Sequence, residues 1–285
     1  MRSIRIVLAL VAVGLLAACG ALIDRATANF ARDLERAVVN YDEPSVVEHG
    51  LPAFLLILEA RREANPDDSD LLRSLSSLTG TYAGLFVDND LSARRMYSRA
   101  LGYAERAACI DDSSLCGASE LPFLDFEQRV EAVDAAELET AYSLGVAWVG
   151  WIAAHKSDYA ALADLPKAEL LLERVAELSS EHDQGAVWLY LAVLNSQRPP
   201  AAGGRPDLAR QYFDRARDIS GGRNLLVDVF MADTYARLMF DRELWVKLLD
   251  AVLAADPDQQ GFALANHIAQ ARARELIPQT AHIFD

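Results

Sequence analysis

The stretch that decides the fold is A-R-Q-Y-F-D-R-A, residues 209–216, which sets Ala209, Phe213 and Ala216 at a small-x3-aromatic-x2-Ala spacing. On a helix of 3.6 residues per turn these three positions share one face, and small residues on either side of a ring let a second helix approach closely. A second copy lies in A-R-R-M-Y-S-R-A, with Ala93, Tyr97 and Ala100 in the same relation. Looser copies are Ala53, Ile57, Ala60 and Leu244, Leu248, Ala251, followed at one shared offset by the breakers Asn65-Pro66 and Asp256-Pro257. A fifth, weaker copy uses Ala168, Leu172 and Val175. Each reads as the second helix of an antiparallel pair.

Partner helices are visible upstream of two copies. Trp188, Leu191, Ala192 and Asn195 stand at W-x2-L-G-x2-Y positions, and Met231, Ala232 and Tyr235 repeat the end of that pattern. Both halves resemble the tetratricopeptide repeat, a helix-turn-helix unit of about 34 residues that stacks into a superhelix. The second-helix positions 53, 93, 168, 209 and 244 are separated by 40, 75, 41 and 35 residues, so insertions stretch the period. Apolar residues recur at three- and four-residue spacing throughout, without alternating β-type runs. The expectation is an all-α, tetratricopeptide-like superhelix of helical hairpins, with insertions and extra helices.

Two insertions show as shifts in composition. Residues 198–206, R-P-P-A-A-G-G-R-P, are rich in residues that break both helix and strand, and read as a loop inside a hairpin. Residues 111–125 follow Cys109, contain Cys116, and lead into a helix outside the repeat phase. Segment 135–154 is apolar on almost all sides from Tyr142 onward and should be enclosed by other helices.

The amino terminus reads as a signal peptide over residues 1–18: Arg2 and Arg5, an apolar run from Ile6 to Leu16, then L-A-A-C ending at Cys19. The run is too short to span a bilayer, which takes about 20 residues. L-A-A-C resembles a bacterial lipobox, making Cys19 the lipidated first residue of a single mature domain, residues 19–285. Gly20, rather than aspartate, favours the outer membrane in organisms that sort lipoproteins by that residue. Loss of residues 1–18 removes two arginines and no acid, taking the formal net charge from -15 to -17. Such a surface does not neutralise phosphates, which excludes nucleic acid and fits a basic patch on a protein partner. Outside the cytoplasm, Cys109 and Cys116 are close enough in sequence either to pair as a disulfide or to remain as two thiols.

No catalytic or cofactor motif stands out. The five histidines, His49, His155, His182, His267 and His282, lack metal-ligand spacing, and no nucleophile elbow or phosphate loop is present. The expectation is a binding protein, with no enzyme activity, cofactor or metal. A repeat superhelix offers its first helices to a concave face, where rings grip ligands. Tyr82, Tyr142, Trp148, Trp151 and Trp188 are the candidates, with Asn266 and His267 on a C-terminal helix in reach of the same cavity.

Four stretches, in this order, carry a wider resemblance: G-L-P-A-F-L-L-I-L-E-A (50–60), A-Y-S-L-G-V-A-W-V-G-W-I (141–152), G-G-R-P-D-L-A-R-Q-Y-F-D-R-A (203–216) and A-L-A-N-H-I-A-Q-A-R-A-R-E-L (263–276). With the lipobox they resemble the T component of TRAP transporters, periplasmic tetratricopeptide lipoproteins; Arg205 departs from the small or acidic residue expected there. The resemblance implies a partner, the periplasmic substrate-binding protein of a tripartite ATP-independent transporter, together with a homo-oligomer and a cavity for a hydrophobic or organic-acid ligand. The competing expectation is a general envelope scaffold that binds peptide segments in its groove.

Overall fold

The computed structural model describes residues 30–196 and 204–285, so the signal peptide and Cys19 lie outside the described residues. All regular structure among them is helical, and five antiparallel pairs form the body. The first pair joins α1 (30–39) to α2 (Pro44–Ala64), and the second joins α3 (Ser69–Phe86) to α4 (Asp90–Ile110). An inserted helix α5 (Phe123–Ala132) precedes the third pair, α6 (Leu138–Ala154) and α8 (Leu165–Leu178), whose turn holds the short α7 (Tyr159–Ala163). Next come α9 (Ala186–Ser196) with α10 (Pro206–Ser220). The fifth pair is α11 (Leu225–Phe230), prolonged by a π-helical turn at Met231–Ala236, with α12 (Arg242–Ala254). The chain ends in α13 (Ala263–Leu276) and α14 (Thr280–Phe284).

Local chemistry places the helix starts. Side chains of Asp68, Asn89, Asn224 and Asp241 accept the orphan backbone N–H groups of Leu71, Ser92, Leu226 and Leu244. Each such cap contributes about 1 kcal/mol. α2 and α10 begin instead on Pro44 and Pro206, which need no intrahelical partner for a missing N–H. Arg205 ties the α9–α10 pair to α8, donating from Nε to Asn195 Oδ1 at 2.8 Å and pairing with Glu169.

Close approach of the pairs depends on glycine. The Tyr97 ring of α4 is wedged between α3 and α6: a Cβ at Gly84 would fall 2.6 Å from the Tyr97 hydroxyl, and one at Gly150 would overlap the ring itself. A Cβ at Gly145 would fall 2.7 Å from Leu172 Cδ2, the contact that seats α6 on α8. First helices of successive pairs run parallel: Arg32 of α1 meets Asp70 of α3 at 3.4 Å, and Ser196 of α9 meets Thr234 of the α11 extension at 2.7 Å.

The repeat positions are buried unevenly. Ala168, Leu172, Val175, Ala209 and Phe213 are fully buried and Ala216 is 2% exposed. In α2, by contrast, Ala53, Ile57 and Ala60 are exposed while Val47, Leu51 and Leu58 form the inner face, so that copy has the spacing without the packing. In α12 the buried set is Trp245, Leu248, Leu249 and Val252, and Ala251 is exposed. α6 is enclosed by α3, α4, α8 and α9, as its apolar circumference requires.

The insertion is fastened rather than loose. Cys109 and Cys116 form a disulfide, Glu137 accepts from the Ser114 backbone N–H at 2.7 Å, and Phe126 of α5 is fully buried on α8. The C-terminus returns to the start: Leu264 of α13 shares an apolar cluster with Leu51, Leu58 and Leu71, and the Gly261 N–H donates to Asn40 Oδ1 at 2.6 Å. The stack therefore closes on its own first hairpin.

Replacing Gly150 by Ala should lower stability by about 1–3 kcal/mol, the usual range for overpacking a filled core. Gly84→Ala should cost less, and the added variant Tyr97→Phe should relieve it because only the hydroxyl is in the way. Chemical denaturation of the three variants measures this; equal losses at Gly84 and Gly150 would show that the ring is not wedged.

Candidate functional site

Parallel first helices turn side chains from distant parts of the sequence toward one recess. Tyr142 of α6 donates its hydroxyl to Asp183 Oδ2 at 2.5 Å, and its ring lies edge-on to His182 with centroids 4.6 Å apart. Asp183 and Gln184, between α8 and α9, both adopt left-handed backbone, with φ of 46° and 55°. Two successive non-glycine residues in that region store strain of roughly 1–3 kcal/mol each, which the surrounding contacts must hold. The Gln184 side chain lies against Gly261, so the same turn touches the closing segment.

Glu35 of α1 reaches this region from the other side, accepting hydrogen bonds from the Ser77 and Ser74 hydroxyls of α3. Burial raises its pKa to about 7, the two hydroxyls hold it down in part, and the Asp183 carboxylate opposes its ionisation. Burial also raises Tyr142 well above the usual phenol range, with Asp183 adding to the shift, and it raises Tyr190 of α9 and Tyr97 in the same direction. Glu35, Tyr97, Tyr142 and Tyr190 are each half-buried, and Tyr142 and Tyr190 also pack against the central apolar cluster. The recess is a polar and aromatic surface suited to hydrogen-bonding and stacking.

Of the residues singled out from the sequence, Tyr142 stands in this recess. Trp148 does not: it is 1% exposed, set edge-on to Phe126 at 5.7 Å with the Lys167 ammonium 6.0 Å from its ring centroid. It is core because α5, the insertion helix, covers that side of α6. Trp151 points elsewhere and stacks on His155 at 4.7 Å. Trp188 packs on Tyr212 at 5.4 Å and donates to Ser180 O at 2.9 Å, joining α9 to α10. Tyr82 pairs with Phe86 at 5.7 Å on α3.

Asn266 is a correction of the same kind as Trp148. It is fully buried, accepting from Leu225 N at 2.9 Å and donating to Arg223 O and Pro257 O at 2.9 and 3.1 Å. Its amide oxygen serves the start of α11 and its amide nitrogen two loop carbonyls, so the side chain is engaged within the fold. His267 pairs with Asp258 at 2.8 Å beside an open cleft formed by Asn40, Tyr41, Asp42, Gln259 and Gln260. Among the described residues no cluster of His, Cys, Asp or Glu could hold a metal ion.

Residues 40–284 match the family described as TRAP transporter T-component. The chain belongs to this family. An uncharacterized protein of Treponema pallidum (strain Nichols) is 25% identical to this T-component over 274 residues, covering 89% of this chain and 83% of its own length. The family is a transporter accessory, and the match begins within the α1–α2 turn and runs to the penultimate residue, across all the helices from α2 onward. Sequence reasoning about this T-component missed Glu35, Asp183 and Tyr190. Glu35 lies in an ordinary charged helix and Asp183 in an unremarkable polar turn, E-H-D-Q-G, so neither had a local signature.

Glu35 makes a pH-dependent contribution to stability. Its folded pKa is raised, so the native state favours the protonated form; that contribution is fully present below about pH 4.5 and is lost as pH rises toward about 7. Glu35→Gln should therefore leave stability at pH 5 nearly unchanged and increase it at pH 8 by on the order of 2 kcal/mol. Melting curves at both values test this; an equal effect at each would remove the assignment.

Proposed function

We propose that this T-component is an exported lipoprotein, anchored through Cys19 at the periplasmic face of the outer membrane, that docks the substrate-binding protein of a TRAP transporter. The family match over residues 40–284 carries this reading, and the L-A-A-C ending at Cys19 supports the anchor. The recess of Tyr142, His182, Asp183, Tyr190 and Glu35 receives a small organic ligand in the course of that exchange. Rings supply apolar contact area, while Asp183 supplies an acceptor and Glu35, whose pKa burial raises to about 7, an acceptor or a donor according to pH. A neutral or hydroxyl-bearing end suits the pair better than a bare carboxylate, which two acidic groups would repel unless both were protonated.

The alternative, a general envelope scaffold binding peptide segments, differs in what it retains from a detergent extract. Purification of the full chain from membranes should recover the TRAP substrate-binding protein, and native mass spectrometry should show a retained small molecule. Tyr142→Phe, which keeps the ring packing, should weaken retention of a ligand that relies on this hydroxyl and Asp183 by at least about tenfold, equivalent to about 1.4 kcal/mol, with a melting curve reading separately the smaller loss from one hydrogen bond. Recovery of outer-membrane assembly proteins, with no substrate-binding protein under any carbon source, would favour the scaffold instead.

A further inference from the structure

The first hairpin carries an exposed apolar surface. Leu56, Ile57 and Val46 of α2 are 71%, 52% and 49% exposed, and Phe54 joins them with its ring 6.3 Å from that of Phe30, itself 44% exposed. At about 100° per residue these side chains, with Ala53 and Ala60, fall on one continuous arc of the helix. That arc holds no carboxylate. Glu48 and Glu59 lie farther round the helix, Glu63 borders the arc beside Leu56, and His49 is the exposed ionisable group within it; the Arg61 guanidinium is turned inward, with Nε and Nη2 buried. In a chain with 42 acidic and 27 basic residues, an exposed helix face free of acids stands apart from the general surface. It is also where the small-x3-large-x2-Ala spacing of Ala53, Ile57 and Ala60 faces outward instead of packing.

The chain itself indicates what meets this surface. Ten residues, 20–29, separate Cys19 from Phe30, and that segment spans at most about 40 Å. The tether thus enters the body at Phe30, a member of the patch, and an acylated Cys19 would hold the patch within that distance of the bilayer. A soluble partner would meet the acidic surface elsewhere on favourable terms only through basic groups, whereas an apolar arc without a carboxylate inside it, and with His49 on its exposed side, suits the acyl boundary and the headgroups above it.

We propose that the outward arc of α2, with Phe30, rests in the interfacial layer of the membrane that holds the Cys19 anchor, so that the first hairpin is the foot of the body. This rests on the lipid-anchor reading given under Proposed function. Contact is one-sided and shallow: among the described residues no helix is long and apolar enough to cross a membrane.

The test uses the full acylated chain. With Cys19 acylated and Cys109 bonded to Cys116, Leu56→Cys supplies a single reactive thiol for an environment-sensitive fluorophore. Tyr159→Cys, at a side chain 89% exposed on α7, is the control. In vesicles of phosphatidylethanolamine with a minority of phosphatidylglycerol, the probe at 56 should shift to the blue and be quenched by spin-labelled lipid. Aqueous iodide should quench it at least about threefold less than the probe at 159, as expected for insertion into the headgroup layer. A probe at 56 that stays as open to iodide as the control overturns the proposal. So does protection from iodide without lipid quenching, which would mean that a second copy or another protein covers the face. Intact mass separates the two readings: a chain without acyl groups removes the anchor and this proposal together, while an acylated chain with a water-exposed probe removes the membrane contact alone.

Discussion

The fold depends on how near two helix axes can come. A helix buries a full apolar face only if its neighbour settles between its side chains, and a large ring prevents this unless the opposing backbone carries nothing at that point. Here the Tyr97 ring occupies the space that Cβ atoms at Gly84 and Gly150 would take, and Leu172 does the same against Gly145. One aromatic side chain of α4 thus lies against both α3 and α6. The parallel run of first helices follows, and with it the meeting of Glu35, Tyr142, Asp183 and Tyr190, which are spread over 155 residues of sequence.

That meeting has an energetic cost that the rest of the fold offsets. Burial of the Glu35 carboxyl disfavours its charged form, the Asp183 carboxylate adds to this, and the Ser74 and Ser77 hydroxyls compensate only in part. The left-handed turn at Asp183 and Gln184 adds strain, held by the Tyr142 hydroxyl on one side and by Gly261 on the other. A core has no need of such an arrangement; apolar residues of equal volume would be more stable.

How much of this was legible in the sequence follows the range of the interactions. The hairpins of α4, α8 and α10 were readable because small and large residues at fixed spacing act within one helix turn; the burial agrees throughout in α8 and α10, and in α4 at Ala100, with Ala93 and Tyr97 half-buried. The same spacing misled in α2, where Ala53, Ile57 and Ala60 face outward, because pattern alone does not say which side a neighbour takes. Trp148 and Asn266 drew attention as a large ring and a polar side chain on apolar helices; the structure gives them to α5 and to the start of α11. The recess was nearly invisible, since its members come from four helices and a turn. Only Tyr142, on a helix apolar all round, carried a polar group that had to find a partner.

The closing contact differs in kind from the contacts inside the hairpins. Within the C-terminal part, Asn266 satisfies three backbone groups at once, and Gln270 donates to the Val252 and Ala255 carbonyls at 3.1 and 2.9 Å. Separating α13 from α11 and α12 would leave several buried polar groups unpaired, at about 1–3 kcal/mol each. Between α13 and the first hairpin, the contact is lighter: Leu264 in the apolar cluster, one hydrogen bond from Gly261 to Asn40, and beside them the open polar cleft of Tyr41, Asp42, Gln259 and Gln260. The ring of helices is thus strong along its length and weakest at the seam where its ends meet. Because α1 brings Glu35 to the recess and also carries Asn40 to that seam, the energetics of the seam and of the recess are borne by the same short helix.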